Sequence, residues 1–168
     1  MTDTFYQDYF KGLAENLKAI GHVDDTHEAF FVIEDMDNMQ EVQEAIRRRL
    51  KTPALLLEDF EDDLTDENAD NNQERLIGAF SVIIRVEKND TLLKRSAKAD
   101  ARKIAREIVF EMKRNTLNGL LADNGIICKI QSKGFGIGPV ADNCYGWRYS
   151  FMWMASMNTV RDAGDWNT

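Results

Sequence analysis

Histidine and cysteine are scarce in this chain, with two of each in 168 residues. Two cysteines, Cys128 and Cys144, do not make a disulfide framework. They could pair across neighbouring strands, but buried free thiols are the expected state. His22 and His27 lie in loop-like sequence away from either cysteine, so no local signature of a Cys–His nucleophile is present. Both histidines are expected on the surface. No apolar run approaches the roughly 18 residues of a membrane span, and "MTDTFYQDYFKGL" lacks the basic-then-apolar order of a secretory signal. A cytosolic chain is expected. A general basic excess is missing too. The net charge is −8, so the overall balance supplies no drive to neutralise phosphates.

What the chain does have is a globular composition, 43% hydrophobic and 30% charged, enough for one domain with a real core. Its acidity is local. Between Asp59 and Asn72 stand Asp59, Glu61, Asp62, Asp63, Asp66, Glu67 and Asp70, with no lysine or arginine. That segment carries almost all of the net charge, and the remainder is close to neutral. Like charges this dense cannot pack against one another, so a solvated, mobile hairpin connection is expected there.

Periodicity supplies the elements. Tyr6, Tyr9, Phe10, Leu13, Leu17 and Ile20 predict an amphipathic helix over 4–20, with Gly21 as its cap. "AFFVIED" (29–35) reads as a strand, 38–50 as a second helix, and "ALLLE" after Pro53 as another strand. In "GAFSVIIRVEK", Phe80, Val82, Ile84 and Val86 share one face, predicting a strand buried on that side and half wet on the other. The longest helix spans about 91–115, with Leu93, Ala97, Ala101, Ile104, Ala105, Ile108 and Met112 as its apolar stripe. The final stretch reads as two strands joined by a flexible Gly-rich loop. In the second of them Tyr145, Trp147, Tyr149, Phe151 and Trp153 alternate onto one face. The expectation is an α+β fold: a mostly antiparallel sheet of about four to five strands, helices packed on one face, and one long helix between two hairpins. Residues 1–157 form a single domain without internal repeat, and 158–168 a polar tail.

Tests for chemistry return little. An EF-hand register from Asp66 places Ile77 where the bidentate glutamate belongs, and one from Asp59 places Leu64 where glycine belongs. A magnesium nuclease would gather Glu58, Asp59, Glu74 and Glu87, but Glu87 and Lys88 are adjacent and point to opposite faces of a strand. "GFGIGP" (134–139) lacks the Lys-Ser/Thr ending of a phosphate loop. No catalytic residue, metal ligand or cofactor site is expected. The long helix, by contrast, has a basic surface: Lys94, Arg95, Lys98, Arg102, Lys103, Arg106, Lys113 and Arg114. Such a face is either solvated or tracks anions. An acidic arm and a basic helix on one compact chain allow copies to associate head to tail, through contacts that close into rings or extend into filaments. The candidate contact residues are Asp59, Glu61, Asp62, Asp63, Asp66, Glu67, Asp70, Arg95, Lys98, Arg102 and Arg106.

The order of elements resembles the tail terminator, or tail completion, proteins of long-tailed bacteriophages. The resemblance runs through "FYQDYFKGLAENLKAI", "PALLLED", an arm-like loop into "AFSVIIRV", "LLKRSAKADARKIAREIVFEMKRN" and the closing "YGWRYSFMWMAS". It covers about residues 5–157 as a pattern of elements, and other head–tail neck proteins share it. It implies a non-enzymatic protein of the virion, assembled in the bacterial cytoplasm as a homo-oligomer, typically a hexameric ring. Such a ring terminates the tail tube and joins it to the head connector, and DNA passes through without specific binding. The 59–74 loop and the 133–143 loop would then make subunit and tube contacts. An acidic arm facing the lumen would repel DNA, and one facing outward would dock a basic partner. The alternatives are another α+β binding or assembly module, or a metal-dependent phosphodiesterase using the acidic 59–74 cluster.

Overall fold

In a computed structural model, the structure describes residues 3–34, 50–65, 73–87, 90–130, 134–140 and 143–156. The elements in chain order are α1 (Asp3–Asn16), β1 (Phe30–Ile33), β2 (Ala54–Glu58), β3 (Glu61–Thr65), β4 (Gln73–Arg85), α2 (Thr91–Asn118), α3 (Leu120–Asp123), β5 (Ile127–Ile130), β6 (Phe135–Val140) and β7 (Cys144–Ser156). The expected helix at 38–50 and tail at 158–168 lie outside the described residues, apart from buried Leu50.

The fold is α+β, built on a seven-stranded sheet. Its spine is an antiparallel pair of long strands, β4 and β7, in register from Gln73–Ser156 to Arg85–Cys144. Every pair is antiparallel except β1 with β2, which is parallel. Two strands beyond the sequence reading account for the higher count. β3 occupies the first half of the acidic segment, and β6 occupies the Gly-rich segment read as a flexible loop. Backbone pairing to a long neighbour outweighed the poor strand propensity of both stretches.

The sheet also contains a repeat that no sequence similarity betrays. β2 pairs with Phe80–Ile83, the eighth to eleventh residues of β4, and β3 with the first five. β5 pairs with Phe151–Met154, the eighth to eleventh residues of β7, and β6 with its beginning. A two-fold relation between β4 and β7 therefore carries β2–β3 onto β5–β6. Backbone register repeats while side chains differ, which is why pattern reading finds no repeat. The two halves diverge at the edge. Leu55 N–H donates to the Ala29 carbonyl that precedes β1, at 2.8 Å. The equivalent Cys128 N–H donates instead to the Thr116 hydroxyl of α2, at 3.3 Å.

Both long helices lie on one face of this sheet. Tyr6, Tyr9 and Phe10 of α1 are buried and stack around Phe80, Phe151 and Trp153, with ring centroids 5.2–6.2 Å apart. Each such ring contributes on the order of 1.5–3 kcal/mol by leaving water. α1 stops at Asn16, short of the expected residue 20, and Gly21, with φ of 60°, closes the turn that follows, its N–H donating to the Leu17 carbonyl. α2 buries Ala97, Ala101, Ala105, Ile108, Val109 and Met112. Small alanines let it approach the sheet closely, and Asp90 caps it by accepting from the Leu92 and Leu93 N–H groups. One expectation fails at β4. Ser81 and Ile83 are as fully buried as Phe80 and Val82, so the centre of the strand is dry on both faces.

Candidate functional site

The basic face of α2 is a built surface. Arg95, Lys98, Ala99, Arg102, Lys103, Arg106, Glu107 and Phe110 line an open groove of about 580 Å³, with Trp147 of β7 on its floor. The cations rest on rings. Arg102 sits over Trp147 at 5.0 Å, Arg106 over Phe110 at 5.7 Å, and Lys94 and Lys98 over Tyr145 at 5.4 and 5.7 Å. Each such contact is worth about 0.5–1 kcal/mol at an exposed site, and together they hold long side chains in place.

The floor explains the glycines of "GFGIGP". A Cβ on Gly134 would lie 2.4 Å from Trp147 Nε1 and 2.3 Å from the Tyr149 ring, and one on Gly136 would crowd Lys98 at 3.3 Å. These glycines let β6 lie against the aromatic row of β7. The expectation of a free loop over 133–143 is corrected for 134–140 on this ground; residues 133, 141 and 142 lie outside the described residues.

The acidic candidates lie elsewhere. Glu61, Asp62 and Asp63 are exposed on β3, and Asp59, also exposed, precedes it. The first half of the expected mobile hairpin is thus a strand of the sheet. Asp66, Glu67 and Asp70 lie outside the described residues. Register sets the distance between acid and base. Asp63 pairs with Arg75, which pairs with Met154, whereas the groove lies over Tyr145 and Trp147. Glu61 by the same register lies level with Met152, so five to seven residues of β7 separate Trp147 from the level of these acids, about 17–23 Å along the strand. Among the described residues, then, the structure groups Arg95, Lys98, Arg102 and Arg106 together and sets Asp59, Glu61, Asp62 and Asp63 apart from them.

The carboxylates weighed for a nuclease are not assembled. Glu74 and Glu87 fall at opposite ends of β4, and both oxygens of Glu58 accept from Arg148 at 2.6 and 2.7 Å.

One further cluster brings ligand atoms of Glu15, His22 and Asp24 within 4.8 Å of one another. Its chemistry opposes a metal. His22 is buried, against expectation, because Ala29 N–H donates to its Nδ1 at 3.2 Å. That bond places the neutral ring's proton on Nε2, toward Asp24 Oδ1 at 3.0 Å. A metal at Nε2 would require that nitrogen bare while Nδ1 still accepts, and Lys11 Nζ already holds Asp24 at 2.5 Å.

The site residues that sequence reasoning missed are the supporting ones: Tyr145, Trp147, Phe110, Gly134 and Gly136. The alternation of β7 already placed Tyr145 and Trp147 on one face, but nothing local said that α2 would cross above them. No helix among the described residues is long and apolar enough to cross a membrane. In sequence, the chain matches no known protein family, and no curated protein matches it significantly.

Proposed function

We propose that this chain is a non-catalytic, ring-forming component of a phage virion, a tail terminator or neighbouring neck protein that closes the tail tube and meets the head connector. One observation carries the reading: an exposed acidic strand and a cation-lined helix groove sit about 17–23 Å apart along the same β-ribbon. Opposite charges at separate places on one rigid body favour contacts between unlike surfaces of successive copies. Such heterologous contacts close into a ring when the rotation permits. The edges of the sheet agree with assembly through side chains. β3 presents three acids in a row and β6 carries Pro139, both of which oppose strand addition. The order of elements shared with tail terminators points to the same role.

Native mass spectrometry over a concentration series tests it, with negative-stain imaging of the same samples, alone and with assembled phage tail tubes. A closed ring, or a ring capping tube ends, is the expected result. A monomer under every condition, with tubes left uncapped, removes the reading.

A further inference from the structure

Building on that ring reading, we infer that the α2 groove holds strand β3 of the next copy, with Glu61 and Asp63 laid along Lys98, Arg102 and Arg106. Among the described residues β3 pairs only with β4, and all three of its leading acids are exposed. The strand is therefore already formed and docks without the ordering cost of a loose arm.

The spacings match. Glu61 and Asp63 point to the same side of β3, about 6.7 Å apart. Lys98, Arg102 and Arg106 follow one another every fourth residue of α2, about 6 Å apart. A strand laid along the helix sets successive carboxylates opposite successive cations. The rings beneath hold those cations ready, so the ion pairs form with less loss of side-chain freedom. Within one copy the two elements are too far apart to meet, which makes the contact intermolecular.

A nucleic acid strand would use the same cations, and the site favours the protein segment. Trp147 and Tyr145 already carry Arg102 and the lysines on their faces, leaving neither ring open to stack a base.

The test uses two full-length variants, R102E/R106E and E61K/D63K. All four positions are exposed, and circular dichroism verifies that both variants fold. Native mass spectrometry and sedimentation are then run on wild type, on each variant and on their equimolar mixture. Each variant alone should associate at least tenfold more weakly than wild type. The mixture should recover assembly, because each variant retains the surface that the other has lost. Rings that persist in both variants overturn the inference and leave the ring reading standing. Wild type that never assembles, even on tubes, removes both. If a short oligonucleotide binds wild type but not R102E/R106E, and mixing restores nothing, the groove is a nucleic-acid site and the inference fails.

Discussion

Arg148 of β7 reaches across the sheet to Glu58 at the end of β2 and grips both its carboxylate oxygens, at 2.6 and 2.7 Å. Ninety residues of chain separate the two. Glu58 is buried, and its own carbonyl accepts from the Tyr6 hydroxyl at 2.8 Å. One residue thus ties β2 to β7 through its side chain and to α1 through its backbone.

Removing one member of this pair leaves a buried charge without its partner, which typically costs about 3–5 kcal/mol. Arg148→Met should fall in that range by chemical denaturation. Arg148→Met combined with Glu58→Gln should cost distinctly less than the sum of the two single changes. Additive losses would show that the pair is not coupled.

Two glycines should respond in opposite directions. A Cβ on Gly146 would meet the Val82 carbonyl oxygen at 2.1 Å, and backbone cannot step aside. Gly146→Ala is expected to cost about 3 kcal/mol. Gly12, inside α1, has nothing within 4 Å of its added Cβ. Gly12→Ala should stabilise by about 0.5–1 kcal/mol through helix propensity. Equal effects in thermal melts would refute the packing argument.

The thiols should be silent in the folded protein. Cys128 and Cys144 are buried thiols outside any disulfide, and burial pushes the Cys128 thiol up to about 12. At mildly alkaline pH a thiol reagent should label neither residue until denaturant is added. Fast labelling of the native chain would contradict this.

Lys11 and Asp24 give a pH signature. The hydrogen bond from Lys11 holds the Asp24 carboxyl below its ordinary range, and the same bond raises Lys11. A depressed carboxylate contributes stability above its unfolded pKa and loses it as pH falls through the folded value. A raised ammonium contributes below its unfolded pKa and loses that contribution as pH rises through the folded value. Asp24→Asn should therefore lower the melting temperature modestly near neutrality and match wild type in strong acid. The effect is small because both groups are exposed. A gap that widens in acid would reverse the assignment.

Thr116 tests the edge of the sheet. Its hydroxyl accepts the Cys128 N–H where, on the other half of the sheet, a backbone carbonyl serves Leu55. Thr116→Val should cost about 1–2 kcal/mol for the unsatisfied donor. It should also speed hydrogen exchange at Cys128, a readout that lost packing alone would not move.

Read without any structure, the chain determined its α+β class, the aromatic face of β7, the long helix beginning near residue 91 and the basic surface of that helix. These are written in local period and local composition, because a helix repeats its face every three or four residues and a strand every two. Only the tertiary structure decided the rest. It made strands of Glu61–Thr65 and Phe135–Val140, whose own residues favour turns, because each gains a ladder of hydrogen bonds from a long neighbour. It buried Ser81 and Ile83 by placing β4 at the centre of the sheet, and His22 by giving its ring a backbone donor. It laid the cations of α2 over Trp147 and Tyr145 and set the acids of β3 some distance along the same ribbon. Those outcomes depend on which strands pair and in which register, and pairing is a relation between segments far apart in sequence.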